Sequence, residues 1–355
     1  MEQLPVAIVL PCLDEETTLL ETCRSLGFSA GGVGQDSGVH LIIVDNGSTD
    51  RTLEIAESVA AYSNTGSVSV VREGERGYVP PRHKGTQRAG QLAEAAAWSD
   101  ILIVQADADT TYTEGYVEKL RAAATAAGSN ALLEGTAEFP AEFCTEFPGY
   151  VSNCAHVDGR VLSRLGVSPA CDLICTDMVC AYRLSDYAAW GGHLREYTRK
   201  GDEIHAETTR LYLRSLARGS RKVTVQDALA YPSARKAMRR PWEEFATAGF
   251  PREASWREAW RARHPDEDLT LGLDGAELEP ATRIRERHLV ALFGVLPLHV
   301  FRALGRDPTP GCDARLRMAA SELPARDSEA LYHRPGVFIE DVLHMVDDLR
   351  SPLPG

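Results

Sequence analysis

The sequence predicts an α/β protein: a mostly parallel sheet flanked by helices, followed by a helical appendage. Three observations predict it. Short apolar runs alternate with helical stretches as far as Thr110. The runs at Val6, His40 and Ile101 each end in a polar loop that carries acids. Beyond Arg235, strand-like runs give way to segments rich in Arg, Trp, Glu and Ala. Strands that alternate with helices imply parallel βαβ units with right-handed crossovers. All the strand C-terminal ends then share one edge, where open α/β sheets bind ligands.

The elements follow in order. Val6-Ala-Ile-Val-Leu10 reads as a buried strand. Asp14 to Leu26 reads as a helix, with acids in its first turn and Gly27 after its end. His40 to Val44 is a second strand, and Asp50 to Tyr62 a helix that Ser48 or Thr49 can cap. Val68 to Val71 is the third strand, and His83 to Trp98 an Ala-rich helix. Ile101 to Gln105 is the fourth strand. From Ala131 to Tyr182 the pattern is less regular, and Met178 to Arg183 reads as a strand. Ser185 to Trp190 is a short helix stopped by Gly191-Gly192. Asp202 to Arg218 reads as one helix, with Lys222 to Val225 and Ala228 to Tyr231 as edge strands. Residues 1–235 thus form the sheet domain and residues 236–355 a helical region. There, Trp242 to Ala248 and Trp256 to Arg263 are helical, Pro265 to Glu279 is an acidic loop, and Pro297 breaks the helix of Arg283 to Leu304.

Composition narrows the function. The chain has 355 residues, 44% hydrophobic and 25% charged, which are ordinary globular values. A net charge of −13 argues against nucleic acid or an anionic membrane as the main partner, since both need a basic face. Met1 to Pro5 lacks the basic start of a secretory leader, and the apolar run Leu289 to Val300 is too short to span a bilayer. A soluble cytoplasmic protein is expected. Cys171, Cys175 and Cys180 cluster, with Cys154 and His156 nearby, but no Cys-x-x-Cys pair marks zinc. Buried free thiols are the expectation.

The chemistry concentrates at the strand ends. Asp107-Ala-Asp109 directly follows the fourth strand. A carboxylate pair there can hold a divalent cation, and the cation a diphosphate. Asp45 follows the second strand; it can accept a hydrogen bond from a base or ribose, or stabilise its own turn. Arg82 and Lys84 stand at the start of a helix, where cations oppose the macrodipole unless an anion lies close. Asp202, Glu203 and Glu207 open the later helix, and Glu203 and Glu207 share a face at that spacing.

These segments together resemble the GT-A fold, family 2-type nucleotide-sugar glycosyltransferases. Pro11-Cys-Leu-Asp-Glu15 is similar to their opening Pro-x-x-Asn-Glu, with Asp14 for Asn. Val44-Asp-Asn-Gly-Ser-Thr-Asp50 resembles their Val-Asp-Asp/Asn-Gly-Ser-x-Asp loop, and Asp107-Ala-Asp109 their Asp-x-Asp motif. Gly77 to Gly85 is similar to Gly-x-x-x-x-Arg-x-x-Gly, and Arg183 to Gly192 to their Arg…Gly-Gly segment. Glu207 to Gly219, with Leu211 and Arg214, resembles Glu-Asp-x-x-Leu-x-x-Arg, and Tyr231 to Arg235 a Ser-x-Arg element. The resemblance covers about residues 5 to 235.

It implies a Rossmann-like sheet that binds a nucleoside-diphosphate sugar. Pro11, Leu13, Glu15 and Asp45 would hold the nucleoside, Arg82 the diphosphate, and Asp107 the ribose or metal. Asp109, with Asp107, would hold Mn²⁺ or Mg²⁺. The acceptor is a small molecule or glycan, with the helical region covering its side. One departure stands out: Thr208 occupies the slot of the family's catalytic Asp. Glu207 is then the expected base, with Glu203 or Asp202 as substitutes, and the expected reaction inverts the anomeric centre. Three alternatives stay open: a retaining GT-A transferase, a nucleotidyltransferase, or a sugar-nucleotide binder without activity. Pro11 to Glu15 has neither the Gly nor the Lys expected of a nucleotidyltransferase loop.

Overall fold

The computed structural model describes residues 3–28, 38–62, 67–165, 172–264, 275–306 and 314–348. The chain divides into two compact units. The first joins Met1–Glu138, Cys175–Arg195 and Ala206–Ser233; the second joins Phe139–Ile174, Glu196–His205 and Ala234–Gly355. Two stretches from within the first 235 residues therefore group with the C-terminal helices.

The first unit is built on an eight-stranded sheet. Its strands are β1 (Val6–Cys12), β2 (Val39–Asp45), β3 (Val68–Arg72), β4 (Leu102–Gln105), β5 (Thr110–Tyr112), β6 (Ala131–Ala137), β7 (Cys180–Arg183) and β8 (Arg221–Pro232). Their order across the sheet is β3-β2-β1-β4-β7-β6-β8-β5. The first four strands pair in parallel, as alternating strands and helices require. β7 then runs antiparallel to both β4 and β6, so the second half of the sheet is mixed. β1, β2 and β4 are buried along almost their whole length. This is why they read as continuous apolar runs rather than alternating ones.

Helices α1 (Leu19–Ser25), α2 (Thr52–Tyr62), α3 (Val79–Ala95), α4 (Tyr116–Ala127), α7 (Leu184–Trp190) and α8 (Glu207–Leu216) belong to this unit, while α5 (Ala141–Glu146) and α6 (Pro148–Leu165) belong to the second. Several boundaries differ from the sequence reading. α1 starts five residues later than Asp14, because Asp14 itself adopts a left-handed φ of 56° and opens a turn. α3 starts earlier, at Val79, and takes Pro80 and Pro81 into its first turn, where no intrahelical N–H is required of them. α8 does not start at Asp202. Ala206, at φ 65°, breaks the backbone before it, so residues 202–206 are not helical. β8 is one strand of 12 residues between β6 and β5, not two edge strands; a register shift against β6 divides it.

The second unit is helical among its described residues. α6 was not expected, yet its buried positions Tyr150, Cys154, Val157, Val161 and Leu165 recur at helical spacing. Arg285 fastens this unit. Its Nε and Nη2 donate to the two carboxylate oxygens of Asp158 at 2.7 and 2.8 Å, and its Nη1 to the Phe245 carbonyl at 2.6 Å. Pro297 does not break the helical run as expected. A π-helical turn, Val290–Val295, leads into a new helix at Leu296, and Pro297 falls in its first turn. The loop expected from Pro265 falls mainly outside the described residues. No described helix is long and apolar enough to cross a membrane.

One glycine shows how tightly α3 lies on the sheet. A Cβ on Gly85 would meet Val9 Cγ1 at 2.3 Å and Val44 Cγ2 at 3.2 Å. Alanine normally favours a helix by about 1 kcal/mol over glycine. Overpacking against stiff β-branched side chains costs about 1–3 kcal/mol and wins here. Gly85→Ala is expected to lose about 1–2 kcal/mol in urea denaturation. A stabilised variant would show that α3 does not press on β1 and β2 in this way.

Candidate active site

Three polar loops follow β1, β2 and β4, which are neighbours in the sheet. The first two are laced together. Asp14 Oδ1 accepts the Thr49 N–H at 2.7 Å, and Asp14 N donates to Ser48 Oγ at 3.1 Å. Glu15 N donates to Thr52 Oγ1 at 2.7 Å, and Glu16 N to Asp50 Oδ2 at 3.1 Å. The left-handed Asp14 is thus held by its own side chain, which explains how it tolerates that backbone.

Each expected nucleoside-binding residue lies in this region. Pro11 pairs in register with Val44, one position before Cys12 pairs with Asp45. Leu13 is 41% exposed, an apolar surface at the end of β1. Glu15 accepts from Thr18 Oγ1 at 2.8 Å. Asp45 is buried, and its Oδ1 accepts the Ser48 N–H at 3.1 Å, so part of its capacity is spent on its own turn. Asn46 was not singled out from sequence. It is buried and donates to the carbonyls of Glu73 and Glu75 at 3.1 and 2.7 Å, pinning the loop after β3 to the loop after β2. Its position inside the Asp45 to Asp50 motif was the available signal.

At the end of β4 the geometry centres on Arg82. This side chain from α3 is only 7% exposed. Its Nε donates to Glu207 Oε1 at 2.7 Å, Nη1 to Gln105 Oε1 at 3.0 Å, and Nη2 to Asp107 Oδ1 at 2.8 Å. Gln105 in turn donates to the Tyr182 hydroxyl on β7 at 2.7 Å. Burial opposes the Arg82 charge, but Asp107 and Glu207 outweigh it and hold its pKa well above the usual value. The anions that offset this cation at the helix start are protein carboxylates.

The acids behind the expected base separate. Glu207 sits in the first turn of α8, 3% exposed, and its Oε2 has no hydrogen-bond partner among the described residues. Asp202 and Glu203 lie in the second unit. Asp202 Oδ2 accepts from the Ser255 hydroxyl and N–H, and Glu203 forms a lone β-bridge with Tyr197. Glu203 and Glu207 share no helix face, because the helix starts after the left-handed Ala206.

Asp177, which the sequence reading passed over, stands in this cluster. It lies on the short turn before β7, and its Oδ1 accepts the Thr208 N–H at 3.0 Å. Burial pushes its carboxyl up to about 7, Glu207 adds to the effect, and Arg82 acts against it. Its residue type gave no signal, because its place depends on α8, 31 residues away in the chain.

Asp107 and Asp109 are the residues expected to meet a metal. The Asp107 N–H donates to the Tyr112 hydroxyl at 3.0 Å, and the Asp109 carbonyl accepts from Ser233 N at 2.9 Å. Both backbones are therefore fixed. The Asp107 contact with Arg82 uses Oδ1. Two hard carboxylate donors suit Mg²⁺ or Mn²⁺, which take one or two protein carboxylates and complete their shell with phosphate and water. Cys154, Cys175 and Cys180 are buried and free, as expected, and Cys171 lies outside the described residues. The Glu134 carboxylate beside Cys175 and Cys180 is taken by Lys222 at 2.9 Å and the Thr176 N–H at 2.7 Å.

An open α/β sheet with carboxylate loops over its C-terminal edge, and a reversed strand beside the fourth, defines the GT-A class. The comparisons agree. Residues 7–138 match the model of Glycosyl transferase family 2. No curated protein matches the chain. Among solved structures, the mannosyltransferase PcManGT from Pyrobaculum calidifontis, in complex with GDP-Man and Mn²⁺, is similar at 13% identity and a TM-score of 0.51, covering 99% of this chain and 89% of that one. S. aureus TarS residues 1–349, in complex with UDP-GlcNAc, is similar at 13% identity and a TM-score of 0.48, covering 98% and 92%. Glucosyl-3-phosphoglycerate synthase from Mycobacterium tuberculosis is similar at 16% identity and a TM-score of 0.40, covering 77% and 80%.

The Arg82 cluster carries a stability prediction. Removing one partner of a buried ion pair costs about 3–5 kcal/mol, because the other charge stays buried and uncompensated. Arg82→Met strands Glu207 and is expected to lose stability on that scale in urea denaturation. A loss under about 1 kcal/mol would mean that water already screens the pair.

Proposed function

We propose that the protein transfers a sugar from a nucleoside-diphosphate sugar to a hydroxyl of a small-molecule or glycan acceptor, with inversion at the anomeric carbon. One observation carries this reading: the loops after β1, β2 and β4, with Asp45, Asp107 and Asp109, follow neighbouring strands within the residues that match the family 2 model. The laced loops at Pro11 to Glu15 and Asp45 to Thr52 take the nucleoside, Leu13 offering an apolar surface to the base. Asp107 and Asp109 would hold Mg²⁺ or Mn²⁺, and the bound ion would offset charge on the departing nucleoside diphosphate. PcManGT with GDP-Man and Mn²⁺ supports that assignment by analogy of fold.

The chain's own residues do the rest. Arg82 keeps Asp107 and Glu207 in fixed positions, so the carboxylates need not reorganise as charge develops. The acceptor oxygen forms a bond to the anomeric carbon while the bond from that carbon to the phosphate oxygen breaks. A carboxylate at the start of α8 takes the acceptor's proton. A single displacement of this kind inverts the configuration.

The test is a thermal-shift panel of UDP, GDP, ADP, CDP and dTDP, with and without Mn²⁺. A nucleotide at a hundred times its dissociation constant is expected to stabilise the protein by about 2.7 kcal/mol. No shift with any nucleoside diphosphate would overturn the reading. Asp109→Asn is expected to fold normally and to lose the Mn²⁺-dependent part of the shift, since a partly exposed loop carboxylate adds little to the core. An unchanged Mn²⁺ response in that variant would remove Asp109 from the metal site.

A further inference from the structure

We propose that Asp177, not Glu207, is the catalytic base that takes the acceptor's proton; this rests on the transferase reading above. The two carboxylates lie together, with oxygens within 4.8 Å of one another, but their surroundings differ. Glu207 is 3% exposed and its Oε1 is committed to Arg82. Its remaining oxygen is buried, so a substrate hydroxyl has little room to reach it. Asp177 is partly exposed. Among the described residues its hydrogen bond uses Oδ1, on the Thr208 N–H, which leaves Oδ2 for a substrate.

Asp177 is also held as a base must be. α8 has no side-chain cap from its own N-cap residue, Ala206. Asp177 supplies that cap from the turn before β7. Its carboxylate therefore stands at the start of α8, where Thr208 has no carboxyl to offer and its own hydroxyl is buried without a partner among the described residues. Arg82 bonds to Asp107 and Glu207, and the charge of Asp177 also acts on it. Burial raises the Asp177 carboxyl, the charge of Glu207 adds to it, and Arg82 acts against it. Glu207 is then a positioning residue that keeps Arg82 in place. In the step itself, the acceptor oxygen bonds to the anomeric carbon, the phosphate oxygen leaves with its electron pair, and the acceptor's proton passes to Asp177 Oδ2 and from there to water.

The plain structural reading is that Asp177 only caps a helix. Asp177→Asn separates the two, because the amide oxygen still accepts the Thr208 N–H while the basic charge is gone. The experiment uses the full chain with Mg²⁺ and UDP-glucose, UDP-GlcNAc and GDP-mannose, with water as acceptor. It reads donor affinity by calorimetry and nucleoside diphosphate release by coupled assay. Asp177→Asn is expected to keep the donor affinity and melting temperature of the parent protein and to release diphosphate about a hundredfold more slowly, the scale of general-base catalysis. Asp177→Asn combined with Thr208→Asp restores a carboxylate at the same helix start, and is expected to recover about tenfold or more of that loss. Parent-like release by Asp177→Asn would overturn the assignment while leaving the transferase reading intact. Joint loss of affinity, stability and release would reduce Asp177 to a cap. Donor that binds but is never released to water by the parent protein would also overturn it. If none of the three donors binds, the transferase reading falls, and the assignment falls with it.

Discussion

The buried guanidinium of Arg82 is the interaction on which the site depends. It touches Gln105 and Asp107 at the end of β4 and Glu207 at the start of α8, while its own backbone belongs to α3. Three elements far apart in sequence are thereby fixed to one planar group. Arginine suits this task because its donors project in a rigid fork, and its charge survives burial. Such a cluster adds little net stability compared with apolar packing, since desolvation consumes most of the Coulombic gain. What it secures is position. Through Gln105 and Tyr182 the same network reaches β7, so the carboxylates at the sheet edge are referenced to four elements rather than to a loop.

The N-terminal half of this arrangement was legible in the sequence, and the reason is physical. β1, β2 and β4 are buried on both faces, which demands continuous apolar runs, and the loops that follow them are rich in capping residues. Asp45, Asp107 and Asp109 stand beside those runs and inherit their clarity. The second half offered less. β5 is three residues long, below what periodicity can register. β8 looked like two strands because its register against β6 shifts midway. The apolar stripe of α6 was present at helical spacing, within a stretch whose pattern read as less regular.

The base illustrates a different limit. Local spacing placed Asp202, Glu203 and Glu207 on one helix, and a single left-handed residue, Ala206, undid that inference. No propensity argument predicts a positive φ at alanine, because the strain is sustained only by the surrounding tertiary structure. Asp177 escaped for the complementary reason. Nothing beside it in sequence marks it, and its meaning comes from the amide it meets on α8. Arg82 shows the same lesson in milder form: the sequence correctly demanded an anion at the start of α3, but could not say that the protein itself would provide two.

The reversal of β7 bears on how such a domain can diversify. Because β7 opposes β4, with Leu102 across from Arg183 and Val104 across from Ala181, the chain entering β7 arrives at the edge where β4 ends. Asp177 thus comes close to Asp107 without any crossover of its own. Between β6 and that point the chain leaves the first unit at Phe139 and rejoins it at Cys175. The excursion is anchored at both ends by sheet pairing, and its length is under no constraint from the register. Insertions and deletions there can change that stretch while the pairing of the sheet stays in place. Selection can therefore act on the two properties separately, with one stretch of chain free to vary and the other held fixed.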